Sequence, residues 1–285
     1  MDRRILGKTG ELLSIIGFGG IVVMNEEPKN AAIIVSKAIE RGLNYFDVAP
    51  QYGDAQEKLG PALKPYRSHV FLTCKTMMRN KDKAKTDFQN SLKKLETDYF
   101  DSYLLHGVNT VDEVNQISGP NGALEFFIEA KNKGLIRYIG FSAHSKEAAF
   151  ALMNIYNFDI IIFPVNWACW FKDNLGPEVL DKALKNNIGI IALKALAKRA
   201  WGENENRKWS KCWYSPVDNF EEAALALKFT LSQPVTTAIS PGHSELLWWA
   251  CDIADKLTPI TKEELLILKE NAKKLDTISA GLLTC

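Results

Sequence analysis

Short apolar or β-branched runs recur eight times along the chain, and this repetition restricts the fold more than any other feature of the sequence. Each run has the length of a strand, and the segments between them carry apolar residues at helical spacing. The runs are continuously apolar, which is typical of strands covered on both faces in a parallel sheet. The eight runs occupy residues 14–19, 44–48, 70–75, 101–107, 136–142, 160–166, 188–195 and 236–242.

Eight strand–helix units that follow one another without a break in composition predict a TIM barrel. Such barrels typically need about 250 residues, and the chain has 285. We therefore predict an α/β protein with a (β/α)8 barrel, formed by residues 1–285 as a single domain. Two short apolar segments about Thr9-Gly10 predict an N-terminal β-hairpin, and residues 261–276 predict an extra C-terminal helix after the eighth unit.

Composition and charge are those of a globular protein without a strong electrostatic field. Hydrophobic residues make up 46% of the chain, and 35 basic residues stand against 34 acidic ones. This balance predicts no nucleic-acid partner and no membrane partner. No run approaches the roughly 18 apolar residues of a membrane span, and the first residues lack an apolar leader segment. We expect a cytoplasmic protein, monomer or homo-oligomer, that acts on a small molecule.

Ionisable side chains stand at the ends of three consecutive predicted strands. Asp47 ends the second strand, Lys75 the third and His106 the fourth, while Tyr52 lies on the loop after the second strand. Chemistry in this architecture takes place at the carboxyl ends of the strands. Each residue alone could be structural, but three neighbouring apolar strands that all end in ionisable groups indicate a site.

These four residue types suit proton transfer to or from an oxygen. The pKa of a tyrosine is ordinarily about 10, and a nearby ammonium and imidazole should lower the pKa of Tyr52 towards neutrality. Asp47 would pair with Lys75 and offset the cost of burying its charge. The set predicts a tuned phenol that protonates an oxygen while another group attacks the attached carbon.

Two other barrel chemistries compete with this hypothesis. Metal-dependent barrel hydrolases commonly use a His-x-His pair, and no two of the four histidines have that spacing. The five cysteines are also far apart, so no metal is predicted. A Schiff-base lyase needs a lysine inside the barrel, and Lys75 or Lys194 could serve.

The sequence resembles the aldo-keto reductase family in six motifs that follow the family's order. They are LGKTGELLSIIGFGG, NYFDVAPQYGDAQEKLG, CK at 74–75, DSYLLHG, GLIRYIGFSAHS and PVN. The resemblance extends from about Leu6 to the end of the eighth unit. It implies a nicotinamide cofactor, NADP or NAD, bound across the barrel mouth without a Rossmann domain. It also implies reversible hydride transfer to an aldehyde or ketone, sugars included.

The resemblance also implies roles for individual residues. Tyr52 would be the general acid in reduction and the base in oxidation, with Lys75 and Asp47 tuning it and His106 orienting the carbonyl. Some relatives are non-catalytic, cofactor-binding regulatory subunits, and that alternative stays open, although the intact set of four argues against it. The implied cofactor-binding positions are Gly20, Asp47, Ser142, Asn166, Leu193, Lys194, Ala195, Leu196, Gly242 and Asp252. The implied substrate positions are Ile21, Tyr52, His106 and Trp167.

Departures from the family pattern bear on the choice of cofactor. Ala143 stands where an asparagine commonly follows the serine of the fifth strand, and Trp248 and Asp252 lie near positions that are often basic in members preferring NADPH. Because a phosphate is best held by basic side chains, NAD is a candidate beside NADP. The alternative is that basic residues of the tryptophan-rich loop, residues 197–219, reach the phosphate. These are Lys198, Arg199, Arg207, Lys208 and Lys211. The aromatic residues of this loop could form a pocket wall or a subunit interface.

Overall fold

The fold is given by a computed structural model that describes residues 1–279. The strands in this range are β1 (Arg3–Ile5), β2 (Leu12–Ser14), β3 (Ile16–Gly19), β4 (Tyr45–Asp47), β5 (Phe71–Thr76), β6 (Phe100–Val108), β7 (Ile136–Ala143), β8 (Ile160–Pro164), β9 (Gly189–Leu193), β10 (Ala197–Arg199), β11 (Ser215–Pro216) and β12 (Thr237–Ile239). The α-helices are α1 (Pro28–Glu40), α2 (Ala55–Leu63), α3 (Lys81–Lys94), α4 (Val111–Ser118), α5 (Ala123–Asn132), α6 (Lys146–Ile155), α7 (Trp167–Asp173), α8 (Pro177–Lys185), α9 (Phe220–Ser232), α10 (Ser244–Ala254) and α11 (Lys262–Ala272).

Eight of the strands close into a parallel barrel. Their order around the barrel is β3, β4, β5, β6, β7, β8, β9 and β12, and β12 pairs with both β9 and β3. Each of the eight apolar runs supplies one of these strands, because strands with helices on one side and the barrel interior on the other are buried on both faces. The predicted (β/α)8 barrel is confirmed.

The N-terminal hairpin closes the amino end of the barrel, as predicted. β1 and β2 pair antiparallel, with Ile5 opposite Leu12. Leu6 and Leu13 are buried among the interior side chains. A Cβ on Gly189 would lie 2.5 Å from Leu6 Cδ1, so the hairpin can approach β9 this closely only because a glycine stands there.

Several helices begin and end where their sequence signals place them. α1 has Pro28 as its first residue and is followed by Gly42 at φ 86°, a left-handed conformation that glycine adopts without strain. α11 is the predicted extra helix, and it starts at a capping box in which Thr261 and Glu264 satisfy each other's backbone N–H groups.

The two long connections have ordered structure of their own. The connection after β6 contains α4, which also begins at a capping box. The tryptophan-rich loop contains the antiparallel pair β10 and β11. Lys211 of this loop donates to Val22 O at 2.9 Å and pairs with Glu26 at 2.7 Å, which fastens the loop to the connection after β3.

Across residues 1–279, no helix is both long and apolar enough to cross a membrane. Residues 280–285, including Cys285, lie outside the described residues. The expectation that residues 1–285 form one domain therefore stays a prediction.

Candidate active site

Strand register brings Asp47, Lys75 and His106 to one side of the barrel mouth. Asp47 on β4 is level with Thr73 on β5, and Lys75 on β5 is level with Leu104 on β6. Alternate residues of a strand point to the same face. Lys75 is therefore the next inward-facing residue after Thr73 towards the carboxyl end of β5. His106 is likewise the next after Leu104 on β6.

The loop after β4 turns Tyr52 back over the same place. Tyr52 N donates to Ala49 O at 3.1 Å, and Ala55 N donates to Tyr52 O at 3.0 Å, so two successive turns fix the residue. Gly53 adopts φ 57°, which a residue with a Cβ would adopt only with strain. The tyrosine side chain is consequently buried beside the strand ends.

Lys75 is the centre of a buried hydrogen-bond chain. Its Nζ lies 2.5 Å from Asp47 Oδ2 and 3.1 Å from the hydroxyl of Tyr52. The side chains of Asp47 and Lys75 are each only 1% exposed. The Tyr45 hydroxyl donates to the other carboxylate oxygen of Asp47 at 3.4 Å. Burial of both charges is tolerable because each is paired and hydrogen-bonded.

The environment acts on the Tyr52 phenol in the direction opposite to the one we expected. Burial raises the pKa of Tyr52, and the ammonium of Lys75 opposes that rise only in part. Burial would lower the pKa of Lys75, but Asp47 and Tyr52 outweigh it and raise that pKa. The phenol and the ammonium are thus both protonated at neutral pH. The predicted lowering of the Tyr52 pKa was wrong because a sequence does not reveal how completely a ring is desolvated.

His106 lies at the edge of the Tyr52 ring, with the two ring centroids 6.1 Å apart. Its Nδ1 lies 3.1 Å from Oε1 of Gln51. Burial lowers the pKa of His106 well below its usual range, and the nearby Lys75 and His144 add to the lowering. The imidazole is therefore neutral at physiological pH, able to donate from one nitrogen and accept at the other.

The predicted catalytic side chains face a cavity of about 360 Å³ at the barrel mouth. They are Asp47, Tyr52, Lys75 and His106. Five further residues predicted for cofactor or substrate also line it, namely Ile21, Ser142, Leu193, Lys194 and Gly242. Twelve lining residues lie outside the predicted site positions, and they include Gln51, Met77, His144, Trp213, Tyr214 and Ser240. The structure thus gathers the predicted catalytic set and five of the eleven remaining predicted positions around one cavity.

Other predicted positions do not line this cavity. They are Gly20, Asn166, Ala195, Leu196, Asp252 and the substrate position Trp167. Trp167 is 1% exposed and packs into the hydrophobic core around the barrel. Asp252 lies on α10 and pairs with Arg41 at 2.9 Å. Neither side chain is directed to the space in front of Tyr52.

Asn166 is buried and its side-chain amide is fully used inside the protein. Its Nδ2 donates to Lys194 O at 3.1 Å and to Ala197 O at 2.5 Å. Its Oδ1 accepts from the backbone N–H groups of Ala168 and Cys169 at the start of α7. Asn166 therefore joins the ends of β8 and β9 and caps α7, which leaves no group for a ligand in this conformation.

Three basic residues of the tryptophan-rich loop are engaged with carboxylates. Lys198 pairs with Asp218 and Glu222, Arg199 with Glu205, and Lys211 with Glu26. Arg207 and Lys208 lie over the rings of Trp201 and Trp209. A phosphate would have to displace an existing partner of any of the three paired residues.

Trp213 shows how the tryptophan-rich loop contributes to the site. The residue is 53% exposed and lines the cavity, and its ring lies 6.0 Å from the Tyr52 ring, centroid to centroid. Trp209 is instead buried against Trp249. Of the two roles considered for this loop, the pocket wall is therefore the one with direct structural support. Sequence alone does not show which of the two rings faces the cavity, since both stand in the same irregular loop.

Comparison with known proteins agrees with this geometry. A model of the Aldo/keto reductase family matches residues 16–276. The uncharacterized oxidoreductase YqkF of Bacillus subtilis (strain 168) is 33% identical over 309 residues, which cover 96% of this chain and 97% of that protein. The chain belongs to the aldo/keto reductase family, a family of oxidoreductases, and the resemblance seen in its motifs is confirmed.

Solved structures share the fold at lower sequence identity. The aldo-keto reductase AKR11C1 from Bacillus halodurans is similar with a TM-score of 0.74 and 24% identity, over 97% of each chain. An aldo-keto reductase from Klebsiella pneumoniae, in complex with NADPH, is similar with a TM-score of 0.74 and 20% identity, over 95% of each chain. These similarities establish that the barrel is the one adopted by aldo-keto reductases.

Proposed function

We propose that this protein is an NAD(P)(H)-dependent oxidoreductase that transfers a hydride between a nicotinamide cofactor and an aldehyde or ketone, or the corresponding alcohol. A sugar is among the candidate substrates. The observation that carries the proposal is the buried chain from Asp47 through Lys75 to the Tyr52 hydroxyl, which opens on the cavity at the barrel mouth. The family membership of the chain supports the same chemistry.

The proton path in this proposal uses only groups on the chain. In reduction, the Tyr52 hydroxyl donates its proton to the carbonyl oxygen, and the phenolate that forms is stabilised by the Lys75 ammonium 3.1 Å away. Asp47 holds that ammonium in place. His106, being neutral, offers one ring N–H to the same oxygen. In oxidation the Tyr52 phenolate takes the proton back from the alcohol.

The cavity residues fit a nicotinamide cofactor, which when bound supplies or accepts the hydride. Ser142 Oγ accepts from Gly107 N at 2.8 Å and keeps its own hydrogen to donate to a carboxamide. Leu193 provides an apolar wall beside it, and Lys194 provides a cation for phosphate oxygens. The carboxamide would thus be held by Ser142, since the Asn166 amide is committed elsewhere.

We expect NADH to bind at least as tightly as NADPH. Three of the basic loop residues already neutralise carboxylates, so an additional phosphate would gain little from them. The measurement is quenching of tryptophan fluorescence by each nucleotide. Most of the quenching should disappear in Trp213→Phe and persist in Trp248→Phe, since Trp213 lines the cavity and Trp248 lies on α10. Quenching by neither nucleotide would contradict the proposed function.

A Schiff-base lyase on the same barrel makes a different prediction. It needs a neutral lysine amine, whereas the raised pKa of Lys75 keeps that side chain charged. We therefore expect no covalent lysine adduct when the protein is treated with borohydride and a carbonyl substrate, as judged by intact mass. A stable adduct mapped to Lys75 or Lys194 would favour the lyase.

Several expectations about context remain predictions. A cytoplasmic location and a monomeric or homo-oligomeric state are two of them. The expectation of no nucleic-acid or membrane partner is supported by the balanced charge of the chain. The non-catalytic regulatory role is disfavoured because all four groups needed for proton transfer are present and in contact or near contact. Measured turnover of any carbonyl compound would exclude it.

A further inference from the structure

Gln51 contacts the imidazole that faces the substrate cavity, and no catalytic role had been expected for it. It directly precedes Tyr52, its side chain is exposed, and it lines the cavity. Its Oε1 lies 3.1 Å from His106 Nδ1. Among residues 1–279, the Gln51 side chain has no other hydrogen-bond partner, so no second contact fixes which way its amide faces.

The Gln51 amide can bond to His106 in two orientations. With the oxygen facing His106, it accepts from Nδ1–H, and Nε2 is then an acceptor. After a half turn, the amide nitrogen donates to Nδ1, and Nε2 then carries the hydrogen. Both arrangements keep one hydrogen bond at Nδ1 and leave the ring uncharged. A carboxylate in this position would permit only the first and would favour the imidazolium.

The other ionisable groups around the His106 ring disfavour its charged form. The ionisable side chains that act most strongly on it are all basic. They come from β5, from the connection after it and from the strand ends of β7 and β9, and they are Lys75, Arg79, His144 and Lys194. The nearby carboxylates are engaged, Asp47 with Lys75 and Glu113 with Arg79. Tyr52 presents its ring to the imidazole at an angle of 88°.

We propose that Gln51 is a positioning residue that anchors His106 through Nδ1 as a neutral imidazole with its Nε2–H towards the substrate oxygen. This rests on the proposed function. In carbonyl reduction, the turned amide donates to Nδ1, so that Nε2–H points to the carbonyl oxygen. Alcohol oxidation passes through the same transition state in reverse, so that Nε2–H donates to the same oxygen while the hydroxyl proton goes to Tyr52. The transferred proton stays with Tyr52 in both directions, and His106 gains no net charge.

The test is a pair of substitutions read by 15N NMR on protein labelled at histidine. The chain has only four histidines, so His106→Asn assigns the ring of interest. In the wild type, the His106 ring nitrogens should not titrate between about pH 5 and 8. In Gln51→Glu, the new carboxylate raises the pKa of His106, and the ring should titrate within that range. Gln89→Glu adds the same charge at an exposed position on α3 and should change nothing.

Kinetics supply the second readout. In Gln51→Glu, kcat/KM should fall roughly ten-fold in both directions above the new pKa, because the carboxylate then holds the neutral ring with Nε2 as an acceptor, and it should recover below that pKa, where the imidazolium again offers Nε2–H. In Gln51→Met, which removes the hydrogen bond, both directions should fall about ten-fold without a new titration. Rescue by Gln51→Asn is not expected, since the shorter side chain does not reach Nδ1.

The outcomes separate this inference from the proposed function. If His106 stays neutral in Gln51→Glu and kcat/KM keeps its wild-type pH profile in both variants, Gln51 is only a surface residue and the inference is overturned. If the protein turns over no carbonyl compound but the NMR titration appears as expected, the proposed function fails while the contact and its effect on His106 stand, and the catalytic part of the inference falls.

Discussion

We expect Tyr52→Phe to lose nearly all turnover while its affinity for the cofactor is unchanged. The substitution removes only the hydroxyl, which lies 3.1 Å from Lys75 Nζ and is the proton donor that the buried chain supports. Loss of a positioned general acid typically costs about 10² to 10⁴ in rate. The measurements are kcat for a reactive aldehyde and the dissociation constant of the reduced nucleotide by fluorescence quenching.

The matched control is Tyr138→Phe. Tyr138 also has a hydrogen-bonded hydroxyl, which donates to Thr9 O at 3.2 Å, but it lies with the hairpin at the amino end of the barrel. This variant should keep kcat within about two-fold. A Tyr52→Phe protein that retained most of its activity would remove Tyr52 from its role as the acid and leave His106 as the proton donor.

Lys75→Met is expected to abolish turnover and also to destabilise the fold by about 3–5 kcal/mol. Methionine has a similar length, so packing is largely kept, but the Asp47 carboxylate, 1% exposed, loses the partner that lies 2.5 Å from it. The fold is destabilised because the buried Asp47 charge is no longer compensated. Urea denaturation, with the free energy of unfolding from linear extrapolation, measures it.

The double variant Asp47→Asn/Lys75→Met separates the two effects. It removes both charges, and we expect it to recover most of the lost stability while turnover stays absent. As a control, Lys64→Met breaks an exposed pair with Glu96 and should leave the free energy of unfolding nearly unchanged. If the double variant were as unstable as Lys75→Met, lost packing rather than unpaired charge would be responsible.

The positions of Asp47, Lys75 and His106 were predictable because they depend on local rules. An apolar run long enough for a strand is followed at its carboxyl end by the loop that bears chemistry, and in a barrel consecutive strands are neighbours. The parallel register found here then stacks the three residues on one side of the mouth. The position of Tyr52 follows from the same rule, because a short turn after β4 keeps the residue near the carboxyl end of that strand.

The contacts of Asn166 and Gln51 were not predictable from sequence because they depend on partners far away in the chain. Asn166 bonds the carbonyls of Lys194 and Ala197, which only the closure of the barrel brings beside it. Gln51 acquires its role from His106, which is 55 positions away. The sequence shows which hydrogen bonds a polar residue beside a predicted site can form, but not which partners the fold places next to it.

The sequence by itself determined the barrel, the closing hairpin and the residues that end the strands, since hydrophobic periodicity and turn signals act over a few residues. The tertiary structure alone decided the protonation of the site. Burial outweighs the Lys75 ammonium and raises the pKa of Tyr52, and burial with nearby cations lowers that of His106. Desolvation is set by everything that packs around a group, and that is a property of the assembled fold rather than of any segment.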